Sequence, residues 1–581
     1  MGAQFMALFW RDETSSEAAL QVAERAQRAL DLRTSARFPR GVVLVSADTP
    51  VTLLEEGDGL VIGDIYSRVK HSRCSDKLDE KESNRIRESG GASLIDEFWG
   101  EYVAILNRDN DPFVLRDPSG GLLCYALRCD GFDAIVSDVE FGVSLGLVDG
   151  EIDWNALAQW LVQAGLRTER TCLKGVDEIL SGASWSCSGG TWRRQTAWTP
   201  WTFAAPGRQF ADRDEAVDIL RDAIIQATKA CARSARSTLL EMSGGLDSSI
   251  VAACLRIADV PVTCVSLWTS EAGGDERQYA QAVADHIAAP VHFVRLSAED
   301  VGVTDLSPIR KPRPLDHPLK RVSDLILERE GLARGADSYF SGSGGDYVLG
   351  YLTSSAPAAD ALIARGPGRT FLNAVADVAE LNSCSVWKIC ALAARRVRRR
   401  SARKDSVPRA FLSGDIAALE AQSHPWLAAP RYAWPGKLET VDYLARCQGM
   451  REERDRRRVA PLKMPLLTQP VVETCLRIPS WMAVTGGRNR AVARDAFADE
   501  LPDKILKRRT KGNFTSFNAA IFERNRALLR DILLEGRLAA EGLLDRRALE
   551  DFFGSTRPLT GNAYASAIEL ASIELWTRTW R

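Results

Sequence analysis

The pattern of hydrophobic positions changes about a third of the way along the chain. Up to about residue 200, short apolar runs are separated by Gly, Asp and Asn, which is typical of strands and turns. Such runs begin at Gly41, Gly59, Tyr102, Phe113 and Ala134. Amphipathic helices are predicted at 18–30 and 154–165, where apolar residues recur every three or four positions. This part is therefore predicted to be a β-rich layer with helices.

From about Asp212 the chain changes to longer helical patterns that alternate with short apolar strands. Strands are predicted at 237–240, 262–269, 291–295 and 338–340, and a helix at 279–286. This alternation is typical of a parallel sheet with helices on both faces. The prolines and glycine of residues 198–207 favour a linker. We therefore expect domains at 1–200 and 214–581, joined by a linker at 201–213.

The composition excludes several classes of protein. The 581 residues, 45% of them hydrophobic, are enough for two or more domains with full cores. A net charge of −2 predicts no dedicated nucleic-acid partner. No apolar stretch is long enough to span a bilayer, and the amino-terminal residues lack the basic region of a signal peptide. We expect a cytoplasmic protein without a membrane partner.

Cysteine and histidine usage argues against a metal site built from these residues. The twelve cysteines include no C-x-x-C pair, and Cys254 and Cys264 fall inside apolar segments. They are interpreted as reduced packing residues, not as zinc ligands or a disulfide framework. Only five histidines occur, and His286 and His292 are interpreted as ordinary helix-end and strand residues.

The motif that organises the chain is Ser-Gly-Gly-Leu-Asp-Ser, at residues 243–248, between a predicted strand and an apolar helix. A helix amino terminus presents free N–H groups and a positive dipole, which attract phosphate. Gly244 and Gly245 let the backbone approach an anion closely, and the hydroxyls of Ser243 and Ser248 add hydrogen-bond donors. The alternative is an ordinary capped helix after a glycine turn.

A second strand ends in a glycine turn with an acid, Ser-Gly-Ser-Gly-Gly-Asp, at residues 341–346. Parallel strands meet at the same carboxyl edge of a sheet, so we expect Asp346 to lie near Asp247. A carboxylate beside a phosphate is repulsive unless a cation lies between them. The two acids are therefore predicted to hold Mg²⁺ on a pyrophosphate.

The first motif resembles the S-G-G-x-D-S loop of the ATP pyrophosphatases, which cleave ATP between the α and β phosphates and adenylate a carboxylate or similar oxygen. The second resembles the S-G-x-G-x-D loop of asparagine and β-lactam synthetases. The resemblance implies ATP and Mg²⁺ as cofactors, with Gly342 at the ATP site and the backbone of Leu267 against adenine. Those synthetases carry a glutamate or a catalytic tyrosine where this chain has Ser343.

Two later segments resemble the G-K-x-x-L-R-x-A and R-x-K-x-G stretches that bring basic residues onto the phosphates in that family. The resemblance places Arg490 and Lys511 at these positions, with Lys511 one place later than in many relatives. A cation there would stabilise both the leaving pyrophosphate and the oxyanion formed on an acyl-adenylate. The alternative for Lys511 is a surface lysine. The family's P-F-L-D stretch is matched only in part, because Thr468 replaces its acid.

The amino-terminal part resembles the glutaminase-type domain, an Ntn-type αββα fold, that precedes the synthetase domain of asparagine synthetases. The segments that carry this resemblance begin at Phe98, Leu115 and Ser137. In that family a cysteine directly after the initiator methionine releases ammonia from glutamine. Here Gly2 occupies the position and the nearest cysteine is Cys74. Because a hydrogen cannot replace a thiol nucleophile, we expect no glutaminase activity and interpret this domain as a scaffold or docking surface.

The whole combination most closely resembles the lasso peptide macrolactam cyclases. The resemblance implies that the protein adenylates an Asp or Glu side chain of a core peptide and joins it to the peptide's α-amine, releasing AMP and pyrophosphate. It also implies a leader peptidase and a leader-binding protein as partners. The alternatives are a small-molecule amide or β-lactam synthetase, and a non-catalytic scaffold that only binds peptide or protein.

Three further features are open to more than one interpretation. The arginine-rich segments 395–404 and 451–458 are interpreted as solvated helix faces or as docking patches for an acidic peptide. Residues 347–460 are predicted to form the wall of the peptide cavity. Asp377 and Glu380 are both candidates for the base that deprotonates the amine, and spacing alone does not choose between them.

Overall fold

The computed structural model describes residues 3–69, 73–74, 76–163, 165–302, 310–314, 318–399, 410–420, 422–452, 454–555 and 563–581. Gly2, residues 400–404 of the first arginine-rich segment and residue 453 of the second lie outside the described residues. The prediction that concerns Gly2 rests on the sequence alone.

The first twelve strands form two six-stranded sheets in which every pairing is antiparallel. The strands are β1 Phe5–Trp10, β2 Leu32–Phe38, β3 Gly41–Ser46, β4 Val51–Leu53, β5 Gly59–Ser67, β6 Phe98–Arg108, β7 Asp111–Arg116, β8 Tyr125–Arg128, β9 Phe132–Val136, β10 Val176–Glu178, β11 Ala183–Ser188 and β12 Thr191–Thr196. One sheet has the order β10-β8-β9-β1-β3-β2 and the other β12-β11-β7-β6-β5-β4. The helices of this part are α1 Glu13–Leu30, α2 Glu80–Glu88, α3 Ala92–Asp96, α4 Val139–Ser144 and α5 Trp154–Gln163.

The two sheets pack face to face because their strands are apolar on both sides. In β1, Phe5 and Ala7 point into a core shared with the second sheet, where they join Ile62 and Val103. The alternate residue Met6 points to the opposite face, into a core that includes residues of α1 and α5. The outer face of the second sheet packs with residues of α2 and α3. These helix, sheet, sheet and helix layers are the arrangement expected from the sequence.

Helix α1 begins five residues earlier than predicted. Asp12 accepts a hydrogen bond from the backbone N–H of Ser15, and the Ser15 hydroxyl accepts one from the Asp12 N–H. This capping box satisfies two backbone donors that would otherwise lack partners. The apolar periodicity alone does not reveal the polar first turn that the cap supports.

The second half contains a five-stranded sheet, all of it parallel, with the order β15-β14-β13-β16-β17. Its strands are β13 Thr238–Glu241, β14 Val262–Trp268, β15 Val291–Arg295, β16 Ser338–Ser341 and β17 Leu462–Lys463. The helices are α6 Trp201–Ala204, α7 Arg213–Ala232, α8 Leu246–Ile257, α9 Arg277–Ile287, α10 Pro318–Ala333, α11 Gly345–Val348, α12 Ala356–Arg365, α13 Arg369–Leu381, α14 Val386–Arg399, α15 Gly414–Ala417, α16 Pro435–Cys447, α17 Gln469–Arg477, α18 Ser480–Ala483, α19 Ala491–Ala496, α20 Asp503–Leu506, α21 Thr515–Arg524, α22 Arg526–Leu534, α23 Arg537–Ala540, α24 Arg546–Gly554 and α25 Ala563–Arg578. The predicted parallel sheet is confirmed.

The segment predicted to be a linker is packed against the second half. It contains α6, and the indole N–H of Trp201 donates to the carbonyl of Trp426 at 2.7 Å. The indole of Trp198 donates to Glu473 at 3.0 Å, and both tryptophans are buried. The segment therefore anchors the connection between the two halves. The exact domain boundaries stay a prediction.

Arg451, Arg454 and Arg456 of the second arginine-rich segment are buried, so the expectation of a solvated face is wrong for them. Arg456 is fully buried and pairs with Glu241 at 2.9 Å and Asp324 at 3.1 Å. Arg451 pairs with Glu101 of the amino-terminal half at 3.1 Å. Residues far apart in sequence supply these partners, which is why the local charge pattern was misleading. In the described part of the first segment, by contrast, Arg395 is exposed on α14.

Seven of the twelve cysteines are buried, as expected for packing residues. All twelve thiols are free, and Cys231, Cys254 and Cys264 are buried. Burial raises the pKa of Cys231 and of Cys264 to about 12, as expected for packing residues. No helix in the described part of the chain is both long and apolar enough to cross a membrane.

Candidate active site

Two glycine loops meet at the carboxyl edge of the parallel sheet. The first, residues 243–248, follows β13, and the second, residues 342–346, follows β16. The two strands are direct neighbours in the sheet, and Glu241 is paired in register with Ser341. The loops therefore leave the sheet side by side, at the edge where open α/β sheets bind ligands.

The first loop has the conformation expected of a phosphate-binding turn. Gly244 adopts a left-handed φ of 68°, and a Cβ there would lie 2.7 Å from the backbone nitrogen of Ala280. Gly245 is the N-cap of the twelve-residue helix α8 and has no side-chain cap. The hydroxyls of Ser243 and Ser248 lie 3.2 Å apart. The first turn of α8 therefore retains uncapped N–H groups beside two hydroxyls, which suits an oxyanion.

The second loop packs directly onto the first. A Cβ at Gly342 would lie 2.5 Å from the backbone nitrogen of Ser248, and one at Gly345 would lie 2.5 Å from the carboxyl carbon of Asp247. Such distances are far below van der Waals contact, so a larger residue at either position must displace the backbone or the acid. Gly342 and Gly345 are therefore required for the two loops to come together.

Asp247 and Asp346 converge on one arginine. Nη1 of Arg490 lies 2.9 and 3.0 Å from the two carboxylate oxygens of Asp247 and 2.8 Å from Oδ1 of Asp346. The ammonium group of Lys511 contacts Oδ2 of Asp346. Of these side chains, Arg490 is 7% exposed and Lys511 is 50% exposed. The structure thus brings together the two acids and the two cations predicted from the sequence.

The pKa values of two acids at the first loop, Asp247 and Glu241, are shifted in opposite directions. Burial raises the pKa of Asp247 to about 6, although Arg490 opposes this rise, and the neighbouring charge of Asp346 adds to it. Burial also disfavours the ionised form of Glu241, but Arg456 and Arg454 hold its pKa at about 2. A nearby cation would therefore stabilise the fully ionised form of Asp247. Glu241 is already ionised at neutral pH.

The residues present fit a magnesium ion bound together with phosphate. The oxygens of Asp247 and Asp346 reach the same nitrogen atom, so both are placed to reach one cation. Within the described part of the chain, no group of three or more His, Cys, Asp or Glu residues has metal-binding geometry. Two carboxylates are a small set of protein ligands, as is usual for Mg²⁺, which takes its remaining ligands from phosphate and water.

Arg508 links the first loop to the segment that carries Lys511, and the sequence analysis did not identify it. Its guanidinium donates to the carbonyl of Gly244 at 3.0 Å and also pairs with Glu276. The same carboxylate accepts the backbone N–H of Gly512 at 2.7 Å. Arg508 lies three residues before Lys511, at the stretch that resembles R-x-K-x-G, but its partners lie more than 200 residues away, which the sequence could not show.

A cavity of about 510 Å³ opens beside the two loops. Its polar lining includes residues from both loops together with Glu241, Arg454 and Lys511. A second, apolar part of the lining comes mainly from the carboxy-terminal helices and consists of Leu296, Met450, Phe514, Phe517, Ala565 and Ile568. The two glycine loops, which suit a phosphate group, and an apolar surface therefore line the same cavity.

Several predicted residues do not line this cavity. Leu267 lies near the end of β14 but outside the cavity lining, so its contact with adenine stays a prediction. Asp377 accepts the backbone N–H of Gly486, and Glu380 pairs with Arg509. Neither of these acids lines the cavity among the described residues, so neither is placed to deprotonate an amine there.

The segment 347–460 contributes less of the cavity than predicted. Tyr347, Met450 and Arg454 line it, whereas α12, α13 and α14 pack into a separate apolar core. The apolar faces of these amphipathic helices pack against one another. The prediction that this segment forms the wall is therefore wrong for α12, α13 and α14, and α21 and α25 form much of the wall instead.

Residues 219–578, more than half of the chain, match the asparagine synthase family. The chain belongs to the asparagine synthase family. Membership implies an ATP-dependent ligase that forms carbon–nitrogen bonds, which agrees with two glycine loops, two acids and two cations at one sheet edge. The family span includes both loops, Arg490 and Lys511.

The similar solved structures are too remote to indicate a function for this chain. The glutamine phosphoribosylpyrophosphate amidotransferase of B. subtilis, complexed with ADP and GMP, is 10% identical, with 58% of this chain and 90% of that chain covered and a TM-score of 0.23. A structure of the allosteric regulatory enzyme of purine biosynthesis is also 10% identical, with 51% and 75% covered and a TM-score of 0.21. No curated protein matches the chain.

Proposed function

We propose that this member of the asparagine synthase family is a lasso peptide cyclase. It would adenylate an Asp or Glu side chain of a linear core peptide and join that carbonyl to the peptide's α-amine in an isopeptide bond. AMP and pyrophosphate would be released. The observation that carries the proposal is the apolar wall that shares one cavity with the phosphate-type loops.

An apolar wall suits a peptide better than a small polar amino acid. Phe514 and Phe517 of the segment after Lys511, with Ile568 of α25, line the cavity beside the loops. Burying apolar peptide side chains against them would contribute binding free energy of about 25 cal/mol per Å². Such contacts would also hold the folded peptide so that its amine lies close to the activated carbonyl, which raises the effective concentration of the amine.

Two features of the sequence support an acceptor amine carried by the substrate itself. The glutaminase nucleophile is replaced by Gly2, so we propose that no ammonia is supplied internally. At the second loop, Ser343 stands where asparagine and β-lactam synthetases carry a glutamate or a catalytic tyrosine. Its hydroxyl accepts a hydrogen bond from Ser341 at 2.8 Å and lines the cavity. The catalytic groups of those small-molecule enzymes are thus missing at this position.

The charged side chains have separate proposed roles. Ser243, Ser248 and the backbone of the first loop would bind the phosphates. Arg490 and Lys511 would stabilise charge on the departing pyrophosphate and on the oxyanion formed when the amine attacks. When bound, Mg²⁺ would neutralise pyrophosphate charge, held by Asp247 and Asp346. Arg490 must then exchange its carboxylate partners for phosphate oxygens.

We also propose that the chain works with a leader peptidase and a leader-binding protein, which would deliver the leader-free core peptide. The exposed face of α14 and the amino-terminal half are the surfaces we propose for such contacts. Arg395 and Arg398 are exposed on α14, and the nearby Trp387 is 80% exposed.

The proposal is tested by incubating the purified protein with ATP, Mg²⁺ and the linear core peptide encoded beside its gene. We expect a product lighter by one water, together with AMP, and no product from Asp247→Ala. Turnover only with small amino acids would replace this proposal with a small-molecule amide synthetase. Absence of nucleotide turnover with any acceptor would indicate a non-catalytic scaffold.

A further inference from the structure

Arg454 differs from Arg451 and Arg456, the other two buried arginines of this segment. It lies between α16 and β17, is 5% exposed and lines the same cavity as the two glycine loops. Among the described residues its guanidinium makes no hydrogen bond or ion pair, and its Nε is buried without a partner. Arg451 and Arg456, by contrast, pair with Glu101 and with Glu241 and Asp324.

A largely buried guanidinium whose Nε has no partner is energetically unfavourable in the ligand-free protein. Arginine stays charged at any ordinary pH, so it cannot relieve the cost of burial by losing its proton. Removing a charge from water without a compensating contact is unfavourable. A side chain kept in this state at a cavity wall is explained if a ligand supplies the missing anion.

Glu241 does not satisfy Arg454. The two side chains are close enough for Arg454 to influence the acid electrostatically, and both line the cavity. However, Oε2 of Glu241 already accepts from Arg456 at 2.9 Å and from the hydroxyl of Ser341 at 3.0 Å. Glu241 is thus held in place by other residues, and Arg454 remains available to a ligand.

The ligand group that suits Arg454 is a carboxylate. The phosphate-type part of the site already has its own cations, Arg490 and Lys511, which lie on Asp247 and Asp346. Arg454 instead lies near Glu241, which is linked through Ser341 to Ser343. A guanidinium presents two parallel N–H groups that match the two oxygens of a carboxylate.

We propose that Arg454 binds the substrate carboxylate that ATP activates. This inference rests on the proposed function, because it assigns the residue that holds the acyl donor in the same site. One carboxylate oxygen forms a bond to the α-phosphorus of ATP, while the bond from that phosphorus to the bridging oxygen of pyrophosphate breaks. The other oxygen becomes the carbonyl oxygen of the acyl-adenylate and stays on the guanidinium. Arg454 thereby orients the carboxylate for attack.

The test compares Arg454→Met with Arg456→Met, two substitutions that remove a buried arginine from the same segment. For Arg454→Met we expect Tm without ligand to change little, because no hydrogen bond or ion pair is lost and only the longer-range attraction to Glu241 is removed. Its kcat/KM for the core peptide in ATP–pyrophosphate exchange should fall about 10- to 100-fold, the range for a charge-assisted hydrogen-bond pair. The Kd for a fluorescent ATP analogue should change less than about twofold. Arg456→Met should instead lower Tm.

Arg454→Lys and added guanidinium ion give a second measurement. We expect the lysine variant to retain more exchange activity than Arg454→Met, and millimolar guanidinium ion to restore part of the activity of Arg454→Ala. The proposal is overturned if Arg454→Met exchanges pyrophosphate at the wild-type rate. It is equally overturned if ATP affinity falls in parallel with activity, which would make Arg454 a phosphate ligand, or if Tm falls as it does for Arg456→Met.

Failure of the proposed function is distinguishable from failure of this inference. If the wild-type protein exchanges pyrophosphate only with a small amino acid, the peptide cyclase proposal is wrong. The same comparison of Arg454 and Arg456 variants is then made with that amino acid, and a selective loss of its kcat/KM supports the carboxylate role of Arg454.

Discussion

The two glycine loops have nearly the same sequence pattern and different surroundings. Residues 243–248 open α8, a helix of twelve residues, whereas residues 342–346 open α11, which has four. A longer helix gives the first loop aligned N–H groups and a dipole at its amino terminus. The second loop lacks this support and packs its glycines against the first. The first loop is therefore suited to bind phosphate, and the second to place Asp346.

The length of the helix that follows each loop therefore decides what the loop is suited to do. The continuous apolar run after the first loop, residues 250–255, is the sequence feature that predicts a full helix. After the second loop, Gly350 and Pro357 interrupt the pattern early. The acid of each loop is kept, and both acids reach Arg490. Two loops with different structural support are thus built from one pattern.

The largest expected effect comes from removing either acid. Asp247→Asn and Asp346→Asn should each lower peptide-dependent ATP–pyrophosphate exchange by roughly 10²- to 10³-fold, because the cation and phosphate charges lose a ligand. The variants should remain folded by circular dichroism. If Asp346→Asn keeps wild-type activity, the second loop has no share in the site and its pairing with the first loop is incidental.

Alanine substitution of one glycine from each loop distinguishes an effect on ATP binding from an effect on the packing of the loops. Gly342→Ala places a methyl group 2.5 Å from the backbone of Ser248, so it should destabilise the protein by about 1–3 kcal/mol. At Gly245 a Cβ would meet only the hydroxyl of Ser243, at 3.2 Å. Gly245→Ala should therefore leave Tm nearly unchanged and raise the KM for ATP about tenfold. Thermal melts and steady-state kinetics check both variants; an equal loss of Tm in the two would remove the distinction between the loops.

The last expected effect, on stability and its pH dependence alone, concerns Glu241, which joins β13 to Ser341 at the start of the second loop. Its pKa falls from 4.5 to about 2 on folding, because Arg456 and Arg454 outweigh the effect of burial. A lowered pKa means that the carboxylate stabilises the folded state above pH 4.5, and that this contribution is lost as the pH falls toward 2. The Tm difference between the wild type and Glu241→Gln should thus be largest near pH 7 and shrink below about pH 4.5. A difference that grows on acidification would contradict this assignment.

Local patterns predicted much of the fold and the charged part of the site. The strands, the parallel sheet, both loops and the convergence of Asp247 with Asp346 depend on short-range sequence features and on the geometry of one sheet edge. The role of Arg508 and the burial of Arg456 depend on partners more than 100 residues away. Pairings over such separations are set by tertiary packing, which a single sequence does not encode in any local pattern.

The apolar wall of the cavity could not be predicted for the same reason. Phe517 and Ile568 belong to helices whose apolar faces look like ordinary core faces in the sequence, and Phe514 directly precedes α21. Only the packing of α21 and α25 beside the loops places these residues in the cavity. Conversely, the helices of residues 356–399 looked available for the wall and instead bury their apolar faces against one another.

ATP-dependent activation of a peptide carboxylate at these two loops is the activity that we propose. It is tested most directly by ATP–pyrophosphate exchange with labelled pyrophosphate and the linear core peptide, compared with the same peptide in which the acidic ring residue is replaced by its amide. The account predicts incorporation of label into ATP with the acidic peptide and background incorporation with the amide peptide. Equal incorporation with both peptides, or none with any carboxylate, would contradict it.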